Sequence, residues 1–141
     1  MIRAVLDANA LVSGFPASTG TLADLLDRWR DGQFQLITSE HILDEIARAW
    51  IKPYWQRRFA PERVKLVMAL LREEAEITPI AVNVHGVATH PEDDVVLATA
   101  VSARVDYLAT GDKGLLRLEN YQDIVILTPR AFLNLLEQQE R

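Results

Sequence analysis

Apolar and polar positions alternate in blocks along this chain, so that short charge-poor segments are separated by longer amphipathic ones. Segments of four to six residues with at most one charge are typical of strands buried on both faces of a parallel sheet. Four such segments are residues 2–6, 34–38, 105–110 and 124–127. Residues 77–87 are also free of charge, but Pro79 and Gly86 leave open whether they form one strand or a strand followed by a loop.

Between these segments, apolar residues recur every three or four positions, as they do on one face of a helix. Helical stripes of this kind cover residues 22–29, 42–50, 64–71, 96–101 and 132–136. Thr19 or Thr21 can cap the first helix, and Gly32 lies where its C-terminal cap belongs. Ser39 is the predicted N-cap of the second helix. Strands that alternate with helices in this way predict an α/β fold around a buried parallel sheet.

Length and composition limit the class of protein. The chain has 141 residues, no cysteine and no evident linker or repeat, which predicts one globular domain over residues 1–141. No window approaches the roughly 20 apolar residues that span a bilayer, and no basic segment followed by an apolar one begins the chain. We therefore expect a cytoplasmic protein without a membrane segment. The lack of cysteine excludes disulfides and thiolate zinc sites.

The charge of the chain is unevenly distributed. The formal net charge of −5 argues against a protein that coats nucleic acid by bulk electrostatics, although it does not exclude a nuclease. Residues 48–65 nevertheless carry six basic side chains against one acidic side chain. An acidic site and a basic flank can therefore coexist on this one domain.

Two acids follow predicted strands directly. Asp7 comes after the strand at residues 2–6, and Asp112 comes after Gly111 at the end of the strand at residues 105–110. Aspartate in this position can also cap a helix or form a turn. Functional groups of an open parallel sheet gather at the carboxyl ends of its strands, so the two acids together favour a site.

The second predicted helix supplies a further acid. At 100° per residue, Glu45 lies at the margin of the apolar stripe, between Ile42 and Ala49. Asp44 points further outward, one turn before Arg48, as expected of a solvated ion pair. We therefore prefer Glu45 as the inward acid.

The fourth predicted helix begins with Glu92, Asp93 and Asp94, where the N-terminal helix dipole stabilises carboxylates whether or not they have a further function. Asp94 precedes Leu97 and Ala98 by three and four residues and so shares their side of the helix. The periodicity favours Asp94 as the inward acid and leaves Asp93 as a supporting group or as the alternative.

Clustered carboxylates repel one another, so at neutral pH they share protons or hold a cation. Ligands that are all oxygen suit Mg²⁺ or Mn²⁺. The three histidines show no spacing typical of zinc ligands, and no phosphate-binding loop or nucleophile motif competes for the assignment.

Four segments in this order and at these distances resemble the PIN-domain family, in particular the toxin components of bacterial toxin–antitoxin pairs. They are VLDANALVSG, SEHILDEIARAW, HPEDDVVLATA and YLATGDKGLL, and the closing ILTPRAFLNLL is similar to the usual tail of the family. The resemblance covers essentially the whole chain. It implies a three-layer α/β/α sandwich with a central parallel sheet, and a ribonuclease that depends on Mg²⁺ or Mn²⁺.

The resemblance also implies roles for individual residues. The four acids of the family fall on Asp7, Glu45, Asp94 and Asp112, with Asp93 as the alternative register for the third. The small polar groups of the pattern fall on two supporting residues, Asn9 and Thr110. Three acids would bind the metal directly or through water, and Glu45 would bind it or orient the attacking water. The resemblance further implies an RNA substrate, an antitoxin partner and a possible homodimer. It does not specify the number of metal ions or the RNA target.

The basic segment has more than one interpretation. Lys52, Arg57 and Arg58, with the aromatic side chains beside them, can contact RNA phosphates or stack on an unpaired base. They can equally form a surface connection in which the aromatic rings pack on the core and the arginines stay solvated, or a surface that receives an antitoxin or a second subunit.

Two other functions compete with a metal-dependent ribonuclease. A PIN-like domain with intact acids can bind RNA or a partner without catalysis. A phospho-acceptor module would place an acceptor aspartate such as Asp7 after a central strand and a lysine at a later strand end, where this chain has Asp112 followed by Lys113.

Overall fold

A six-stranded sheet forms the centre of the molecule. The computed structural model describes residues 1–139. The strands are β1 (Arg3–Leu6), β2 (Gln35–Thr38), β3 (Glu76–Ile77), β4 (Tyr107–Ala109), β5 (Asn120–Tyr121) and β6 (Ile124–Leu127). Their order across the sheet is β3-β2-β1-β4-β6-β5. The pairs are parallel except at one edge, where β5 and β6 form an antiparallel hairpin.

Helices flank this sheet and complete a three-layer α/β/α sandwich, so the predicted fold class is confirmed. The antiparallel hairpin is an addition that the sequence did not predict. The helices are α1 (Ala8–Gly14), α2 (Thr21–Arg30), α3 (Glu40–Trp50), α4 (Pro53–Gln56), α5 (Pro61–Glu74), α6 (Pro91–Ser102), α7 (Lys113–Leu116) and α8 (Pro129–Gln139).

The core follows the apolar pattern of the sequence. One hydrophobic cluster includes residues from Ala4 to Leu136, and the side chains of the central strands contribute no exposed surface at Val5, Ile37 and Leu108. Burial of these side chains is the main stabilising contribution, at about 25 cal/mol for each Å² of apolar surface removed from water. The strands are therefore held rigidly, and so are the residues that follow them.

The helix boundaries differ from the prediction at the first loop. The sequence suggested a loop after Asp7, whereas α1 begins at once and Asp7 is its N-cap. Neither Thr19 nor Thr21 caps α2, because Gly20 occupies the cap position with a φ of 106°, a conformation that glycine adopts without strain. Ser39 caps α3 as predicted, with its Oγ 3.5 Å from the Ile42 amide nitrogen.

Residues 77–87 form a strand only at their start. β3 ends at Ile77, and the irregular segment that follows contains Pro79 and a left-handed Gly86 with a φ of 71°. Proline cannot donate to a strand ladder, which is consistent with the early end of the strand. The interpretation as a strand followed by a loop is the one that the structure supports.

Among residues 1–139, no helix is long and apolar enough to cross a membrane.

Candidate active site

Adjacent central strands bring the first two acids to one edge of the sheet. β1 and β4 pair in parallel with Leu6 opposite Ala109, and the Asp7 amide donates to the Ala109 carbonyl at 3.2 Å. Asp7 therefore follows β1 at the level where Thr110 follows β4. Two residues later, Asp112 begins α7. This is the carboxyl edge of the sheet, where α/β proteins place their functional groups.

Asp7 is a buried carboxylate, with only 9% of the residue exposed. Its Oδ1 accepts a hydrogen bond from the Ala10 amide at 2.9 Å, and its Oδ2 accepts one from Thr110 Oγ1 at 2.5 Å. Burial raises the pKa of Asp7 above its ordinary value, since the charged form loses hydration. The Thr110 and backbone hydrogen bonds oppose this rise, and the negative charge of Asp112 adds to it.

Asp112 lies at the start of α7 and caps it. Its Oδ2 accepts from the Leu115 amide at 2.8 Å, and its own amide donates to Thr110 Oγ1 at 3.0 Å. The Thr110 hydroxyl thus accepts from one acid's backbone and donates to the other acid's carboxylate. Thr110 is completely buried, and it fixes Asp7 and Asp112 relative to each other.

Asp93, rather than Asp94, is electrostatically coupled to the other acids. Burial raises the pKa of Asp93, and the negative charges of Asp112, Asp7 and Glu45 raise it further, while His90 lowers it. Since charge interactions in water fall off within about 10 Å, a carboxylate whose pKa is raised by three others lies near them.

Asp94 has a different environment. It is buried, with 5% of the residue exposed, and its carboxylate accepts hydrogen bonds from the amides of Gly86, Val87 and Ala88. These bonds, the Ala88 one above all, hold the pKa of Asp94 below its ordinary value. Of the two, Asp93 is therefore the one whose carboxylate is influenced by the other acids, whereas Asp94, the residue preferred from the sequence, is bonded to backbone amides. Helical periodicity placed Asp94 on the inward side, but it could not show that backbone amides occupy that side.

Glu45 is half-buried on α3, whereas Asp44 is exposed, as the helical periodicity predicted. Glu45 Oε1 lies 2.6 Å from His41 Nε2, one turn earlier on the same helix. The spacing of four residues could have identified this pair in the sequence. His41 is therefore a neighbour of a candidate site residue that the sequence reasoning missed.

The remaining supporting residue, Asn9, is exposed on the first turn of α1, two positions after Asp7. It lies at the carboxyl edge of the sheet.

The basic segment combines packed and solvated side chains. Phe59 is buried and stacks on Trp50 with ring centroids 5.0 Å apart, which agrees with the packing interpretation. Arg58 lies over the exposed ring of Tyr54 at 3.7 Å and donates to the Tyr54 carbonyl at 2.7 Å. Lys52 and Arg57 are exposed.

The carboxylates of Asp7, Asp93, Asp112 and Glu45 are the candidate ligands for a divalent cation. All four acids offer oxygen ligands. Burial first, and the negative charge of neighbouring acids second, raise the pKa of Asp7 and of Asp93, and a bound cation would offset both effects. Within residues 1–139, however, no three acidic or histidine side chains lie close enough together to hold a metal as they stand. Asp112 and Glu45 are each engaged locally, with Leu115 and His41. The chemistry of the donors fits a hard cation, and binding would require these carboxylates to move together.

Known proteins are similar to this chain in both sequence and fold. A family model described as a PIN domain matches residues 3–114. The fold is similar to that in the crystal structure of FitAcB from Neisseria gonorrhoeae, with a TM-score of 0.57 and 17% sequence identity over 90% of this chain and 98% of that chain. No curated protein sequence matches the chain. Since the family model covers most of its length, the chain belongs to the PIN-domain family.

Proposed function

We propose that this protein is an endoribonuclease that depends on Mg²⁺ or Mn²⁺ and acts as the toxin of a toxin–antitoxin pair. The observation that carries this proposal is the hydrogen-bonded link of Asp7 to Asp112 through Thr110 at the carboxyl edge of the sheet, beside which the negative charges of Asp112, Asp7 and Glu45 raise the pKa of Asp93. PIN-domain proteins are generally nucleases that use divalent metals, which supports the same reaction class.

Each acid has a distinct part in this proposal. Asp7 and Asp112 hold the cation from the ends of two adjacent strands, and Asp93 joins them from the first turn of α6. Glu45 completes the negative cluster from α3 or orients the attacking water, and Thr110 keeps Asp7 and Asp112 in register. Asp94, the sequence-based choice for the third ligand, has no metal-binding part in this proposal, because backbone amides surround its carboxylate.

The cation, when bound, supplies Lewis acidity toward a water molecule and toward the phosphodiester oxygens. The residues of the chain supply the geometry. Burial of Asp7 and its two fixed hydrogen bonds reduce the freedom of that carboxylate, so that it is preorganised for a ligand. Asn9, exposed beside Asp7, is placed to donate to the phosphate or to its water.

The basic segment is the proposed contact for the RNA backbone. Lys52 and Arg57 are exposed and free to reach phosphates. Arg58 already stacks on Tyr54, so that it presents a planar cation and an aromatic ring together. Such pairs suit a phosphate beside an unpaired base.

The partner in the proposal is an antitoxin, and the apolar side of α5 is its proposed contact surface. α5 buries only Leu71 completely, while Leu66 is 71% exposed. Arg30 and Arg63 line the same groove as Leu66, Val67 and Leu70. An apolar surface with two arginines suits an acidic, apolar segment better than a second copy with the same positive charges.

The nuclease proposal is tested with purified protein and a mixed RNA substrate. Cleavage should require Mg²⁺ or Mn²⁺, stop with a chelator, and fall roughly 10²–10³-fold in Asp7→Asn, Asp93→Asn and Asp112→Asn, as when one charge-stabilising group is removed from an active site. Glu92→Gln is the matched control, because Glu92 is an exposed acid in the same helical turn as Asp93. Cleavage that persists in all three aspartate variants would assign the activity to a contaminant or another site.

A second candidate function is a PIN-like domain that binds RNA or a partner without cleaving it. It is favoured by the separation of the carboxylates, since no three metal-ligand side chains converge in the described part of the chain. Metal-independent RNA binding without any cleavage, together with no change in melting temperature on addition of Mn²⁺, would support this candidate over the nuclease.

A further inference from the structure

Asp94 holds a segment of irregular backbone by three hydrogen bonds. Its Oδ1 accepts from the Ala88 amide at 2.6 Å and from the Val87 amide at 3.2 Å, and its Oδ2 accepts from the Gly86 amide at 2.9 Å. Charge-assisted bonds of this kind are about twice as strong as neutral ones. Residues 86–89, which belong to no helix or strand, are thereby fixed to the first turn of α6.

The fixed segment lies directly against α7. A Cβ atom added to Gly114 would be 2.8 Å from Thr89 Oγ1 and 3.1 Å from Asp112 Oδ2. The Thr89 hydroxyl and the Asp112 carboxylate therefore border the same small space, which exists because residue 114 has no side chain. Thr89 is an exposed residue, so solvent and ligands can reach it.

We infer that Asp94 is a positioning residue and that Thr89 is a substrate contact. Asp94 fixes residues 86–89 so that the Thr89 hydroxyl stands beside Asp112, where it donates a hydrogen bond to the RNA. This inference rests on the proposed nuclease function and extends it, because it adds an RNA contact outside the acids and the basic segment.

The chemistry of the position supports the assignment. The RNA must approach a cluster of carboxylates, which repel its phosphates wherever the cation does not screen them. A neutral hydroxyl donates to a phosphate or ribose oxygen without adding charge to the cluster. Asp94 itself is unsuited to hold the cation, because three amide donors already occupy its two oxygens and its carboxylate is buried among them.

The first experiment compares Asp94→Asn with Asp93→Asn, using Glu92→Gln as the control on the same turn. Mn²⁺ affinity is measured on the protein alone, amide exchange is measured at residues 86–88, and KM and kcat are measured with RNA. Asp94→Asn should speed amide exchange at residues 86–88 at least tenfold and raise KM several-fold, while Mn²⁺ affinity stays within about twofold. Asp93→Asn should lose Mn²⁺ affinity and leave the exchange unchanged. Loss of Mn²⁺ affinity in Asp94→Asn equal to that in Asp93→Asn would overturn the inference.

The second experiment examines Thr89 without disturbing Asp94. Thr89→Ala should raise KM for RNA several-fold, with kcat and Mn²⁺ affinity unchanged, and Thr89→Ser should restore the wild-type value. Equal KM values for Thr89→Ala and wild type would refute the contact.

The two proposals fail in different ways. If the wild-type protein cleaves no RNA under any metal condition, the nuclease proposal fails. In that case, RNA affinity of Thr89→Ala measured by direct binding, and amide exchange in Asp94→Asn, still decide whether Thr89 contacts RNA and whether Asp94 holds the segment.

Discussion

The hydroxyl of Thr110 donates to Asp7 Oδ2 at 2.5 Å and accepts from the Asp112 amide at 3.0 Å. One buried side chain therefore couples the carboxylate that follows β1 to the N-cap residue of α7. Because strands β1 and β4 are neighbours, this contact joins two of the proposed metal-binding acids through the rigid centre of the fold.

Replacing Thr110 with valine removes this coupling while keeping the shape of the side chain. The lost hydrogen bond to the charged form should raise the pKa of Asp7 further, so that protons compete more strongly with the metal. We expect Mn²⁺ affinity to fall about 10–100-fold, as with other residues that orient metal ligands, and to fall more at acidic than at neutral pH. Titrations at several pH values test this, and Thr110→Ser should retain most of the affinity. A pH-independent loss would contradict the mechanism.

The buried charge of Asp7 should lower the stability of the metal-free protein at neutral pH. Its folded pKa is raised above the ordinary value of 3.8, so the unfolded chain releases this proton first as pH rises. The ionisation of Asp7 therefore lowers the free energy of unfolding between pH 3.8 and the folded pKa. Above the folded pKa, this loss is complete and constant. Asp7→Asn should melt at a higher temperature than wild type at neutral pH in chelator, and the difference should vanish in acid. Asp123→Asn, an exposed change at the opposite end of the sheet, should show no such pattern.

Addition of a divalent cation should reverse this destabilisation. A ligand that binds only the folded state at 100 times its Kd stabilises it by about 2.7 kcal/mol, which is a shift of several degrees in Tm. Thermal melting with Mn²⁺, Mg²⁺ or chelator measures the effect. The shift should disappear in Asp112→Asn, and an equal shift in that variant and in wild type would place the cation elsewhere.

Asp112 combines a structural and a chemical task that two substitutions can separate. Asp112→Ala removes the cap of α7 and should cost about 1 kcal/mol of stability, because the Leu115 amide loses its acceptor. Asp112→Asn keeps an acceptor oxygen and should retain most of the stability. Both variants should lose cleavage to a similar extent. If Asp112→Asn retained cleavage as it retains stability, and only Asp112→Ala lost both, the Asp112 carboxylate would act only as a helix cap.

Salt dependence distinguishes phosphate contacts from packing in the basic segment. Lys52→Ala and Arg57→Ala should each remove one phosphate contact. The slope of log affinity for RNA against log salt concentration should therefore become shallower by about 1 in each variant. Arg104→Asn is the control, because Arg104 is an exposed cation before β4, at the opposite end of the sheet, and asparagine tolerates its φ of 52°. Unchanged slopes in both test variants would show that the basic segment does not contact RNA phosphates, and would favour its interpretation as a surface for a partner protein.

Several features followed from the sequence because they depend on local rules. Charge-poor segments gave the four longer strands, Ser39 gave the start of α3, and the helical spacing placed Glu45 at the margin of the apolar face with Asp44 outward. The positions of Asp7 and Asp112 also followed, since each stands after an apolar strand. Their proximity required one further assumption, that the strands are parallel and adjacent, and β1 and β4 are both.

Only the tertiary structure shows how the environments of Asp93 and Asp94 differ. The two residues are neighbours on α6, so helical periodicity separates their directions by about 100° but does not say what lies in either direction. The docking of residues 86–88 fills the space beside Asp94 with amide donors and leaves Asp93 to sense the other acids. Contacts between segments distant in sequence are set by packing of the whole chain, which is why a periodic pattern could identify the helix and its acids but not the groups that surround each of them.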